Sequence, residues 1–223
     1  MSCSNVIGGD GLRYWRRILG VGLVWLCVGA ESRQEALGSG VDLSVCGTCH
    51  GLAGEGNQAL DAPGLANLET WYVERQLRGF REGFRGTDSR DVEGTQMRPF
   101  VLGLDDTAIA GMAAAVAAYP DSAATAYEGG DAERGRILYG HQCGACHGPS
   151  GSGNQHLGAP RLAGLDGWYL DRQLVKFTEG VRGSAEGDAH GAQMVFVMQR
   201  IASPADAADV IAYLVNARSE GSP

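Results

Sequence analysis

Two pentapeptides carry the most chemistry in this 223-residue chain: Cys46-Gly47-Thr48-Cys49-His50 and Cys143-Gly144-Ala145-Cys146-His147. Both read C-x-x-C-H. Two residues between the thiols let both reach the vinyl carbons on one porphyrin edge and form thioethers, and the adjacent histidine is then aimed at the iron from the proximal side. The spacing predicts two covalently bound haem c groups with iron at the centre of each. A zinc site would need the two cysteine pairs to share one metal, but they lie 97 residues apart. A redox dithiol would need a thioredoxin-like strand context, and no strand pattern stands out. Of the six cysteines, Cys3 and Cys27 precede residue 31 and the other four sit in the pentapeptides. Residues 31–223 therefore have no thiol left for a disulfide or a cysteine axial ligand.

A sixth iron ligand must come from elsewhere. Met97 and Met194 each follow the motif histidine by 47 residues. A thioether ligand favours ferrous iron and raises the reduction potential. The iron ligands expected are therefore His50 with Met97 and His147 with Met194. Met112 and Met198 read as core fillers. In the second half, Met198 and His190 stay open as alternatives to Met194, being one helical turn to either side of it. His141 and His156 have no counterpart in the first half and read as surface or haem-edge residues. Pro63 and Pro160 lie 13 residues after each motif histidine, where their carbonyls suit the proximal Nδ1–H. Arg85 and Arg182 suit pairing with haem propionates. Trp71, Tyr72, Trp168 and Tyr169 suit walling a haem or donating to a propionate. Core packing or a solvent-facing charge is the alternative for each of these.

These pairs belong to one internal duplication. A shift of 97 residues superposes Cys46–Met97 on Cys143–Met194 without a gap, matching Gly54, Gly56, Asn57 and Gln58 to Gly151, Gly153, Asn154 and Gln155. It also matches Trp71, Tyr72, Arg75, Gln76 and Leu77 to Trp168, Tyr169, Arg172, Gln173 and Leu174. The elements that must hold the motifs read as helices. Asp131 to Gln142 leads into the second motif with Ile137, Leu138 and Tyr139 inward. Trp71 to Phe80 and Trp168 to Phe177 have apolar residues at helical spacing. Thr107 to Tyr119 and Pro204 to Ala217 close each half, the latter with Ser203 as N-cap before Pro204. The closing helices lose the exact 97-residue register. The expected fold is all-α: two tandem cytochrome c-like domains at 31–120 and 131–223, joined by a small, polar, Gly-ending linker at 121–130.

Residues 1–30 read as a signal peptide, with Arg13, Arg16 and Arg17 before the apolar run Ile18 to Val28 and a small-residue site at Val28-Gly29-Ala30. The run is short for a membrane span, which needs ~20 residues; an uncleaved tether is the alternative. Cys27 follows Leu26 rather than a small residue, which argues against a lipid anchor. Residues 31–223 hold 15 basic and 25 acidic residues, and 31–127 is the more acidic half, with 7 basic and 14 acidic. Such a balance argues against nucleic acid as a partner and fits docking to a basic patch on a redox protein; a charge that serves only to keep the protein soluble is the alternative.

The motifs together resemble the dihaem cytochrome c4 family. That family joins C-x-x-C-H, a P-x-L segment, a Y-x-x-x-Q-L-x-x-F-x-x-G-x-R stretch and a methionine ligand in each of two domains. Here the long stretch reads YVERQLRGFREGFR at 72–85 and YLDRQLVKFTEGVR at 169–182. The resemblance implies a periplasmic electron shuttle, often a donor to a membrane terminal oxidase, with Cys46, Cys49, His50 and Met97 on one haem and Cys143, Cys146, His147 and Met194 on the other. Two departures stand out. Asp42 aligns with the aromatic Tyr139, and Met97-Arg98-Pro99 becomes Met194-Val195-Phe196. The expected function is single-electron transfer between periplasmic or membrane redox partners (a terminal oxidase, a cytochrome complex or a dehydrogenase), with no substrate chemistry of its own. The alternative is the electron-accepting cytochrome subunit of a periplasmic dehydrogenase. A haem peroxidase, which needs an open iron position, is opposed by the paired methionines. Membrane contact is expected only through a partner or an uncleaved leader.

Overall fold

The computed structural model describes residues 41–201 and 203–217, so the expected leader lies outside the described residues. Among the described residues nine α-helices follow in order: α1 Ser44–His50, α2 Thr70–Glu82, α3 Val92–Met97, α4 Asp106–Val116, α5 Ala132–Gln142, α6 Gly144–His147, α7 Gly167–Thr178, α8 Ala189–Met198 and α9 Pro204–Asn216. Among the described residues there is no strand, only the isolated bridges Asn57–Ala62 and Asn154–Ala159. No described helix is long and apolar enough to cross a membrane.

The long helices form where expected, and side chains fix their ends. Asp131 opens α5 by accepting from the Glu133 and Arg134 amides. Gly83, in the left-handed region, stops α2. The closing helices align once their caps are compared. Asp105 accepts from the Ala108 amide and Ser203 from the Asp206 amide. Those caps are 98 residues apart, one more than the repeat. The same shift carries buried Ile109, Ala113 and Val116 onto buried Ala207, Ile211 and Leu214, so a single inserted residue explains the lost register.

Each half packs its closing helix over its own core. In the first, Val73, Ala113 and Val116 meet Leu43, Leu65, Leu77 and Tyr119. In the second, Tyr139, Leu165, Leu170, Val210, Ile211 and Leu214 form the cluster, and α5 lies along α9. The inward face of α5 is narrower than expected. Tyr139 is fully buried and Leu138 packs against the core, but Ile137 is exposed. Successive helical residues turn by about 100°, so three in a row cannot all face inward.

Residues 121–130 have no helix or strand but are not loose. Ser122 O accepts from Asn67 Nδ2, the Thr125 amide and hydroxyl donate to Asp166 Oδ1, and Tyr127 packs against the second core.

Candidate functional site

The motif cysteines and histidines lie in α1 and α6, with Cys143 at the N-cap of α6. In each half the chain leaves the histidine through a glycine-rich loop that folds back beneath it. The Gly56 amide donates to His50 O and the Gly153 amide to His147 O. Both glycines have φ of 85°, and a Cβ on either would fall within 3 Å of the returning backbone at Gly64 or Arg161. That close approach needs glycine. It brings the proline carbonyls to the imidazoles: His50 Nδ1 donates to Pro63 O and His147 Nδ1 to Pro160 O, each at 2.7 Å. With Nδ1 holding the proton, Nε2 keeps its lone pair for iron. Burial lowers both histidine pKa values, opposed by the proline carbonyl, so the neutral imidazole that iron requires is favoured. Burial also pushes the Cys143 thiol up to about 11.

On the distal side two helices that were not expected from sequence, α3 and α8, carry the methionines. Asp91 and Asp188 cap them at the equivalent Gly94 and Gly191 amides. Each capping carboxylate fills the space where a Cβ on that glycine would stand. Met97 ends α3, and Pro99, lacking an N–H, turns the chain into a 3₁₀ turn at Arg98–Phe100. Without that proline, α8 runs on past Met194 to Met198.

A cleft in the second half brings Cys143, Cys146 and His147 together with Met194, Met198 and His190. Met198 is buried, as a filler should be. His190 is exposed, and its ring lies against Gly158 beside the Arg75 guanidinium. His141 and His156 are exposed. Tyr72 and Tyr169 line the cleft, whereas Trp71 and Trp168 lie beneath Arg75 and Arg172.

The sequence model of the cytochrome c family matches residues 37–118 and again 132–218. The chain belongs to the cytochrome c family. Cytochrome c4 of Pseudomonas aeruginosa is 30% identical over 87% of this chain and 92% of its own length. The thiosulfate dehydrogenase electron acceptor of Stutzerimonas stutzeri is 33% identical over 66% of this chain and 68% of its own. The solved cytochrome c4 of Acidithiobacillus ferrooxidans superposes with a TM-score of 0.64 at 28% identity, covering 78% of this chain and 99% of that one. A thiosulfate dehydrogenase from Marichromatium purpuratum superposes at 0.61 and 33% identity over 76% of this chain, which spans 36% of that larger protein. Within the family the chain is a dihaem cytochrome of the c4 type: all-α, with two tandem cytochrome c domains, two covalently bound haem c groups and electron transfer as its function.

The residues between the two cytochrome c domains fit that cofactor. Arg85 donates to Gln76 Oε1 at 2.9 Å and Arg182 to Gln173 Oε1 at 2.6 Å. Arg182 also crosses to Gln76 Oε1 at 2.8 Å and to the Tyr72 hydroxyl at 3.2 Å. The two cations come together with no carboxylate in ion-pair contact among the described residues, and buried Arg85 Nε has no hydrogen-bond partner. Burial and the neighbouring Arg182 charge lower the Arg85 pKa. Burial alone would raise the Tyr72 pKa, but the charges of Arg182 and Arg85 outweigh it and hold the phenol below its usual value. Such a cluster is short of negative charge, and haem propionates are anions of the right kind to complete it.

Proposed function

We propose that Cys46, Cys49 and His50 hold one haem and Cys143, Cys146 and His147 the other, with Met97 and Met194 as sixth ligands. The chain would then be an exported carrier that passes single electrons between protein partners. The observation that carries this reading is the pair of identical 2.7 Å bonds from His50 to Pro63 O and from His147 to Pro160 O. They orient two imidazoles alike, each beside its own cysteine pair. When bound, each haem iron supplies a one-electron ferric/ferrous couple. The protein's part is to keep Nε2 unprotonated, to offer a thioether from α3 or α8, and to compensate propionate charge with Arg85 and Arg182. Met194 is preferred to Met198 and His190 because it matches Met97 in the repeat.

The proposed organisation keeps a signal peptide at 1–30, domains at 31–120 and 131–223, and a linker at 121–130, which places the mature protein in the periplasm. Closed coordination at both irons means no substrate chemistry. The partners are redox proteins such as a terminal oxidase, a cytochrome complex or a dehydrogenase. A second reading, the electron-accepting subunit of a dehydrogenase, is favoured by the likeness to a protein described as a thiosulfate dehydrogenase electron acceptor. Redox titration of the mature protein, followed in the visible and near infrared, tests the first reading. Two low-spin haems with methionine-to-iron charge-transfer bands are expected. One haem per chain, or a high-spin ferric iron, overturns it. Stable copurification with a catalytic subunit decides for the second.

A further inference from the structure

The chain contains a single lysine, Lys176. It does not face solvent: it is 7% exposed, on α7 of domain two. Its Nζ crosses to domain one and donates to Asp91 Oδ1 and Glu93 Oε2. Asp91, 1% exposed, is the cap of the Met97-bearing helix and also accepts from the Gly86 amide at 3.0 Å. Glu93 lies one helical turn before Met97. Beside them Arg172, also from α7, reaches Asp61 Oδ1 at 2.5 Å and Glu93 Oε1 at 3.5 Å. Three carboxylates of domain one are thus held by two cations of domain two.

The duplication makes the mirror site predictable, and it differs. Counterparts of Asp61, Glu93 and Lys176 are Gly158, His190 and Gly79. Only Asp188 and Arg75 keep their character, and Arg75 donates to the Gly158 carbonyl instead of a carboxylate. Gly79, Asp188 and His190 line the domain-two cleft, so the missing lysine leaves that side open.

We infer that Lys176 is the positioning residue by which domain two sets the reduction potential of the haem in domain one, with no reciprocal residue acting on the haem in domain two. A cation lodged against the cap and first turn of α3 holds that helix and offsets its two carboxylates. Without it, Asp91 loses its ion-pair partner and Glu93 keeps only Arg172 at 3.5 Å, and the added negative charge beside that haem favours ferric iron. The inference rests on the reading that α3 supplies the sixth ligand of the first haem. Loss of the methionine charge-transfer band in Met97→Ala checks that reading separately.

The test uses the mature dihaem protein, with each haem's potential followed through its own paramagnetically shifted haem-methyl resonances. In Lys176→Met the potential of haem one should fall while that of haem two stays put, and Lys176→Arg should restore it. Gly79→Lys supplies the converse. A Cβ there meets nothing nearer than Phe84 Cβ at 3.9 Å, and a lysine placed opposite Asp188 should raise the potential of haem two alone. An unmoved haem one in Lys176→Met, equal shifts of both haems, or an unmoved haem two in Gly79→Lys would each overturn the inference. The Gly79→Lys arm decides should Lys176→Met not mature.

Discussion

Domain two surrounds its proximal site more closely than domain one does. His147 is 6% exposed, whereas His50 is only part-buried. Tyr139 lies against the second motif, fully buried, and donates to Gly148 O at 2.6 Å. Its counterpart, Asp42, is exposed and accepts from the Ser44 amide instead. Domain one gains its support from outside. Arg172 and Lys176 of domain two brace its loop and distal helix, while Glu69 and Arg75 of domain one hold the domain-two loop at the Arg161 amide and the Gly158 carbonyl. One duplicated pattern has thus diverged in detail: a buried tyrosine backs the motif of domain two, whereas cations of the neighbour hold the carboxylates of domain one. Duplicated copies need not keep the same internal reinforcement once a rigid partner is always present.

The largest expected break in the comparison is removal of one anchor. Replacing both Cys143 and Cys146 with Ser should lower the haem-to-protein ratio from two to one, read by haem extraction assay and mass, while the spectrum of haem one persists. The same change at Cys46 and Cys49 should give the converse.

The internal bracing of domain two is tested at Tyr139. Tyr139→Ala should destabilise domain two by about 3–5 kcal/mol. Tyr139→Phe loses only the hydrogen bond, at about 1 kcal/mol. Denaturant unfolding monitored at each haem should show domain two failing first in the alanine variant.

The external bracing of domain one should respond to acid. Burial would raise the Asp91 pKa, but the hydrogen bond and charge of Lys176, with help from Arg85 and the Gly86 amide, lower it below the usual carboxylate range. A depressed folded-state pKa gives stability that is present above the unfolded value of about 4 and is lost as pH falls through the folded value. The urea midpoint of domain one should therefore drop as pH falls below about 4. In Asp91→Asn that acid-dependent component should be absent.

The smallest effect concerns what the halves still share. Asp105→Ala and Ser203→Ala each remove the N-cap of a closing helix and should each cost about 1 kcal/mol. Equal losses in thermal unfolding would sharpen the one-residue offset between α4 and α9. Unequal losses would break it.

The bonds from His50 and His147 to the proline carbonyls were legible in the sequence because their geometry is local. C-x-x-C-H spans little more than one helical turn, and the 13-residue loop to Pro63 or Pro160 closes on glycines that the repeat preserves. The long helices were legible through their caps and apolar spacing. The helices bearing Met97 and Met194 were not: α3 spans six residues, α8 has a poorly segregated apolar face, and both start from an aspartate whose capping depends on a packed glycine three residues on. Arg85 and Arg182 could be picked out as a repeated pair, but their meeting across the domain boundary could not.

By itself, the sequence determined the number of haem groups and the all-helical duplicated architecture, since each rests on residues close together in the chain or on its comparison with itself. Only the tertiary structure decided that Lys176 belongs to the distal helix of the other domain, 85 residues from Asp91. A lone lysine on an amphipathic helix reads as a solvated charge until the surface covering it is known. Its effect depends on a low-dielectric contact that exists only when the two domains meet.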